Sequence, residues 1–158
     1  MPRHTTKSLK RPVEPDIQYQ NILVSRMINK VMQSGKKRLA ERLVYDAIAE
    51  AGKKVGKEPL EVFETALKNV SPQVEVKSRR VGGANYQVPI EVRGDRKIHL
   101  AMGWIITTAQ SKSGKSFDHI LAAELVDAYN NTGDAIKKKQ DTQAAAEANR
   151  AFAHFARY

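Results

Sequence analysis

Between Gln73 and Val92 the apolar residues change from helical spacing to strict alternation and then back again, and this double switch narrows the folds open to the chain. Val74, Val76 and Ser78 alternate before Gly82-Gly83, and Tyr86, Val88, Ile90 and Val92 alternate after it. Two such runs around a glycine pair predict a β-hairpin. A two-residue Gly82-Gly83 turn would pair Val76 with Pro89, whereas a three-residue loop of Val81, Gly82 and Gly83 pairs Val76 with Val88 and gathers Val74, Val76, Val88 and Ile90 on one face. The three-residue loop is the preferred register, with the apolar face toward the body and Lys77 and Arg79 away from it. A strand of about seven residues spans roughly 23 Å at about 3.3 Å per residue, more than the radius of gyration of about 15 Å for a chain of this length, so the tip is expected to leave the body.

The flanking segments read as helices. Ile17, Val24, Ile28 and Val31 predict a first helix from Asp16 to Ser34-Gly35. Leu39, Leu43, Ala47 and Ala51 line a second, closed by Gly52, and Leu60, Phe63, Leu67 and Val70 line a third between Pro59 and Ser71-Pro72. After Gly94-Asp95, Ile98, Ala101, Trp104, Ile105 and Thr108 form the fourth; Phe117, Ile120, Leu121, Leu125 and Ala128 follow the Ser116 cap as the fifth. The alanine-rich run from Asp134 to about Phe152 gives a sixth with a thin apolar stripe. The expected fold is mainly α: a six-helix, bundle-like domain over 14–158 with a protruding β-hairpin arm (about 73–92) between helices three and four. Residues 1–13, with Arg3, Lys7, Lys10, Arg11 and two prolines but no acid, read as a basic disordered extension.

Charge then speaks to partners. The 27 Lys and Arg outnumber the 17 Asp and Glu, leaving a formal +10 that suits a polyanion. No run of about 20 apolar residues is present and the cationic start lacks a signal-peptide apolar region, so the chain reads as cytosolic, with no membrane partner. The absence of cysteine removes disulfides, thiolate metal sites and cysteine nucleophiles, and His4, His99, His119 and His154 lack metal-site spacing. No cofactor, metal or small-molecule substrate is expected, nor is catalysis. Ser113-Gly114-Lys115-Ser116 resembles the end of a P-loop, but Ala109 stands where the earlier glycine belongs and a helix precedes it.

The basic residues instead gather where backbone N–H groups and side chains meet phosphates together. Lys36, Lys37 and Arg38 open helix two; Lys77, Arg79, Arg80, Arg93, Arg96 and Lys97 outnumber Glu75, Glu91 and Asp95 across the hairpin and its exit, leaving that segment at +3. Lys115 is available to phosphate, Lys137 to Lys139 form a further cluster, and Trp104 reads as core. Tyr86 suits either packing on the body or stacking on a base. These features favour RNA, with a DNA-binding helical regulatory or architectural protein as the alternative and a phosphate-transferring enzyme a distant third.

Longer strings are more specific. Val74-Glu75-Val76-Lys77-Ser78-Arg79-Arg80-Val81-Gly82-Gly83, Tyr86-Gln87-Val88-Pro89, Leu100-Ala101-Met102, Trp104-Ile105, Glu124-Leu125 and Ala148-Asn149-Arg150-Ala151-Phe152-Ala153-His154 closely resemble the bacterial ribosomal small-subunit protein seven family, as do the Met1-Pro2-Arg3 start and the stretch from Asp16 through Gly35-Lys36-Lys37 to Leu43-Val44-Tyr45. The resemblance implies a structural constituent of the ribosome, a primary binder of the 3′ major domain of 16S rRNA that nucleates assembly of the small-subunit head. It implies rRNA contacts at Arg3, Lys7, Lys10, Arg11, Lys36, Lys37, Arg38, Lys77, Arg79, Arg93, Arg96, Lys97, Lys112 and Lys115. It puts Arg80, Gly82, Gly83, Asn85, Tyr86 and Arg150 near exit-site tRNA and mRNA, with small-subunit proteins nine and eleven as neighbours. Two departures stand out: the family favours Arg where this chain has Gly103, and a more basic loop than Ser111 to Lys115.

Overall fold

The computed structural model describes residues 12–157. The elements run α1 (Ile22–Val31), α2 (Lys37–Val55), α3 (Pro59–Val70), β1 (Val74–Val81), β2 (Ala84–Glu91), α4 (Gly94–Ser111), α5 (Phe117–Tyr129), α6 (Asp134–Ala148) and a C-terminal 3-10 helix (Arg150–Arg157). The fold is mainly helical with a two-stranded antiparallel hairpin between α3 and α4, as the period switch predicts. The predicted basic extension of 1–13, with Arg3, Lys7, Lys10 and Arg11, lies outside the described residues up to Arg11.

One apolar core joins α1 to α6. Val24, Met27 and Ile28 of α1, Val44 and Ile48 of α2, Phe63 of α3, Met102 and Ile105 of α4 and Leu121 and Leu125 of α5 are buried in it. Packing of these amphipathic stripes, more than local propensity, holds helices of this length in water. Polar ties fasten the last helices: Asn69 Nδ2 donates to the carbonyls of Ala128 and Tyr129, and Lys139 Nζ of α6 donates to the Asn69 carbonyl at 2.7 Å. The carbonyls at the ends of α3 and α5 thereby gain the partners that a helix terminus lacks.

Four sequence expectations are corrected. The first helix begins at Ile22, not Asp16, because the buried Asp16 carboxylate accepts the N–H groups of Gln18, Tyr19 and Asn21 and folds the segment into a turn. Asn21 then caps α1 by accepting from Leu23 N–H at 2.7 Å, and Ile17 is left 85% exposed. Leu39 is likewise exposed, because Ala40 and Val44 turn the buried stripe of α2 by one position. The sixth helix stops at Ala148, and the chain continues as the 3-10 helix.

The fourth correction concerns two glycines. Helix α2 runs through Gly52 and closes at Gly56, which takes the left-handed conformation (φ 74°). Gly52 serves close packing: a Cβ there would stand 2.7 Å from Pro59 Cγ and 2.9 Å from its Cα. Gly52→Ala would gain up to about 1 kcal/mol of helix propensity but lose about 1–3 kcal/mol to overpacking against a proline ring that cannot rotate away. We expect a net loss of stability of about 1 kcal/mol in urea denaturation, against a gain of up to about 1 kcal/mol for an interior helical glycine with open space beside it.

Candidate nucleic-acid interface

The hairpin register sets which cations share a face. Val76 pairs with Pro89, Lys77 with Val88, Arg79 with Tyr86 and Val81 with Ala84, so the turn is the two-residue Gly82-Gly83. The expected pairing of Val76 with Val88 is overturned. Both glycines take positive φ (58° and 91°), the backbone of a type I′ turn, whose twist matches that of the two strands. Val74 and Val76 therefore lie on one face; Glu75, Lys77 and Arg79 lie on the other with Tyr86, Val88 and Ile90. Lys77 and Arg79 border the apolar residues that were expected behind them. The tip from Gly82 to Asn85 is exposed, while Tyr86 just below it packs on the C-terminal 3-10 helix.

At the base of the hairpin, Glu75 is buried and organises two of the predicted cations. Its Oε1 lies 2.9 Å from Lys77 Nζ, and its Oε2 accepts from Arg96 Nε and Nη2 at 3.2 and 3.0 Å. Burial alone would raise the Glu75 carboxyl; Lys77 and Arg96 outweigh it and hold the group below its ordinary value. The ion-paired triad fixes β1 to the first turn of α4 with both cations still half-exposed.

From there a row of cations follows α1 and α4. Arg26 Nη1 reaches Asp95 Oδ1 at 2.9 Å, and Lys30 Nζ donates to the His99 carbonyl at 2.5 Å. Burial and the neighbouring Arg96 lower the Lys30 ammonium, and Lys30, burial and Arg96 lower the His99 imidazole. Arg26, Lys30, Asp95, Arg96 and His99 line a surface cavity of about 570 Å³. Like charges held this close repel one another, and a polyanion relieves that repulsion. Sequence reasoning missed Arg26, Lys30 and His99 because they stand singly in amphipathic helices; only the packing of α1 beside α4 brings them together.

Gly103 belongs to the same row. A Cβ there would meet Lys30 Nζ at 3.0 Å, so the space above the glycine, where the resemblance leads one to expect an arginine, holds the Lys30 ammonium. At the far end of α4, roughly 27 Å along an 18-residue helix, Gln110 adjoins the turn that carries Lys36. Lys36, Lys37 and Arg38 are exposed there, and among the described residues none has a carboxylate within ion-pair distance.

Other predicted residues fall elsewhere. Arg93 occupies the N-cap position of α4 and is exposed, while Lys97 is half-buried in its first turn. Lys112 is engaged by the fully buried Glu124 and by Asp134 at 3.4 Å. Lys115 lines a separate cavity with Glu50, Lys54 and His119, and helix α4 stands where a P-loop would need a strand. Arg80, Gly82, Gly83 and Asn85 are exposed at the tip. Arg150 pairs with Glu147 at 3.4 Å beside a cleft between the hairpin base and α6. Trp104 packs against the core, as expected.

Comparison with known proteins settles the family. The model of the family described as ribosomal protein S7p/S5e matches residues 2–150. The chain belongs to that family. Curated small ribosomal subunit proteins uS7 are similar to it over nearly their whole length: that of Chloroflexus aggregans is 57% identical over 94% of both chains, and that of Roseiflexus sp. 54% over 100% of both. The protein from Moorella thermoacetica is 56% identical over 92% of this chain and 94% of its own. The S7p/S5e family is one of ribosomal structural proteins and not of enzymes, and membership makes this chain a protein of the small subunit of the cytoplasmic ribosome.

Proposed function

We propose that the chain is a primary rRNA-binding protein: it holds the 3′ major domain of small-subunit rRNA and nucleates assembly of the subunit head, with the hairpin tip near exit-site tRNA and the mRNA path. Small-subunit proteins nine and eleven are its proposed neighbours. The observation that carries this reading is the row of crowded cations from the hairpin base (Lys77, Arg96) along α1 (Arg26, Lys30), beside His99 of α4, to the turn at Lys36, Lys37 and Arg38. Lys and Arg there neutralise phosphates where RNA helices converge, and the shape of the junction supplies most of the specificity. The N-terminal Arg3, Lys7, Lys10 and Arg11 would add contacts of the same kind.

The arm gives the test. Arg79→Ala with Arg80→Ala should lower affinity for a head-domain rRNA fragment by roughly tenfold, the worth of about one or two neutralised phosphates. Lys53→Ala with Lys54→Ala on the far end of α2 should cost little, since Lys54 already pairs with Glu50 at 2.8 Å. Filter binding at fixed salt, with random duplex DNA as competitor, reads both; equal losses would remove the arm from the site, and a preference for DNA would overturn the RNA reading.

A further inference from the structure

Three aromatic rings tie the hairpin to the end of the chain. The Tyr86 ring centre lies 5.2 Å from that of Phe152 and 5.0 Å from that of Phe155; Phe152 and Phe155 stack at 6.4 Å with 14° between their planes. His154 adds a fourth ring 4.0 Å from Phe155. Tyr86 stands opposite Arg79, and Val88, two residues along the same face, is fully buried. None of the three rings belongs to the main core.

The physical need for such a tie is plain. A two-stranded hairpin alone is marginally stable in water, and the outer half of this one carries Arg79, Arg80 and two glycines. Ring pairs at these separations each add stability beyond the area they bury. We propose that Phe152 and Phe155 are positioning residues: through Tyr86 they hold the arm in the attitude in which Arg79, Arg80 and the glycine turn meet RNA. The arm is then ordered before binding, and that entropy is not drawn from the binding energy. This rests on the RNA reading of the arm given above. It assigns Tyr86 to the clamp and not to a base, because two protein rings already occupy its surroundings.

The test uses the full chain with Phe152→Ala plus Phe155→Ala, and a second variant with Phe152→Leu plus Phe155→Leu that keeps apolar bulk without rings. Amide hydrogen exchange without RNA reads the clamp, and titration with the head-domain rRNA fragment, run on the unsubstituted protein alongside, reads its consequence. The alanine pair should speed exchange over residues 79–87 by roughly tenfold while the exchange of core helices holds. RNA affinity should fall by roughly fivefold with the salt dependence unchanged, since every cation that faces a phosphate is still in place. The leucine pair should restore both in large part.

Unchanged exchange in the arm would overturn the clamp whatever the RNA does. Faster exchange with unchanged affinity would overturn the positioning role. Restored protection without restored affinity in the leucine pair would also overturn it, because the rings would then be stacking on bases. Failure of the unsubstituted protein to bind the fragment would sink the RNA reading while leaving the exchange result to decide the clamp.

Discussion

Replacing Lys36, Lys37 and Arg38 together by alanine should weaken binding to a head-domain rRNA fragment by about two orders of magnitude at near-physiological salt and flatten its salt dependence by roughly two units of log–log slope. The size follows from counterion release, at about 0.7–0.9 of a unit for each phosphate that the protein no longer neutralises. The three side chains are exposed, and the described residues offer them no carboxylate partner, so their removal orphans nothing in the fold. Stability should stay within about 0.5 kcal/mol of the unsubstituted protein, as for most surface changes. Titrations at several salt concentrations check both parts, and a weakened affinity with an unchanged slope would mean that the turn acts through shape and not through charge.

The second large effect is on stability. Lys112→Met keeps the aliphatic stem and removes the ammonium that Glu124 relies on. Glu124 is fully buried on α5, and its Oε2 has no hydrogen-bond partner among the described residues. Burial already pushes its carboxyl above the ordinary value of 4.5, and Lys112 opposes that rise. Without Lys112 the folded-state value climbs further. The unfolded chain then gives up this proton at lower pH than the folded chain, so stability falls as pH rises between the two values.

At pH 7 the loss cannot exceed the cost of keeping the carboxyl protonated, about 3.4 kcal/mol for a group that ordinarily titrates at 4.5. Because Lys112 is 39% exposed, water already screens part of its pairing, and about 2 kcal/mol is the expected figure. Urea denaturation from pH 4 to pH 8 should show the variant nearly as stable as the parent at the acid end and progressively worse above it. A loss independent of pH would assign the effect to packing and not to the buried charge.

Lys112 also illustrates where sequence reading ends. Its cationic character and the resemblance both pointed to rRNA, yet its partner stands twelve residues along the chain on the next helix, and nothing local to Lys112 announces the pairing. The α1–α2 turn was legible because its three cations are adjacent in sequence. Arg26, Lys30 and His99 were not, since the residues that meet between α1 and α4 are 69 apart in sequence and come together only in the folded chain.

The fold divides in the same way. Helix α3 starts at Pro59 and stops before Ser71-Pro72 as read, because those signals act on the backbone within a residue or two. Gly52 carries the same signal as a helix-ending glycine but answers to Pro59 of the next helix, and Asp16 turned a stretch with helical spacing into a capped turn. The hairpin was legible as an element; its register was not, because a glycine pair permits either loop and the choice fell to two positive φ angles. The register in turn put Lys77 and Arg79 beside Tyr86 and Val88, and so the arm is fastened on the face that also carries its charge.

The central claim, that one row of cations from the hairpin base to the α1–α2 turn meets rRNA, is tested most directly by RNA crosslinking with mass spectrometry on assembled small subunits. Crosslinks should fall on peptides bearing Lys30, Lys36, Lys37, Lys77, Arg96 and Lys97, all to rRNA of the 3′ major domain, with Lys112 silent. Crosslinks concentrated instead at Lys53, Lys54 and Lys115, with the α1–α4 row unreactive, would contradict the account.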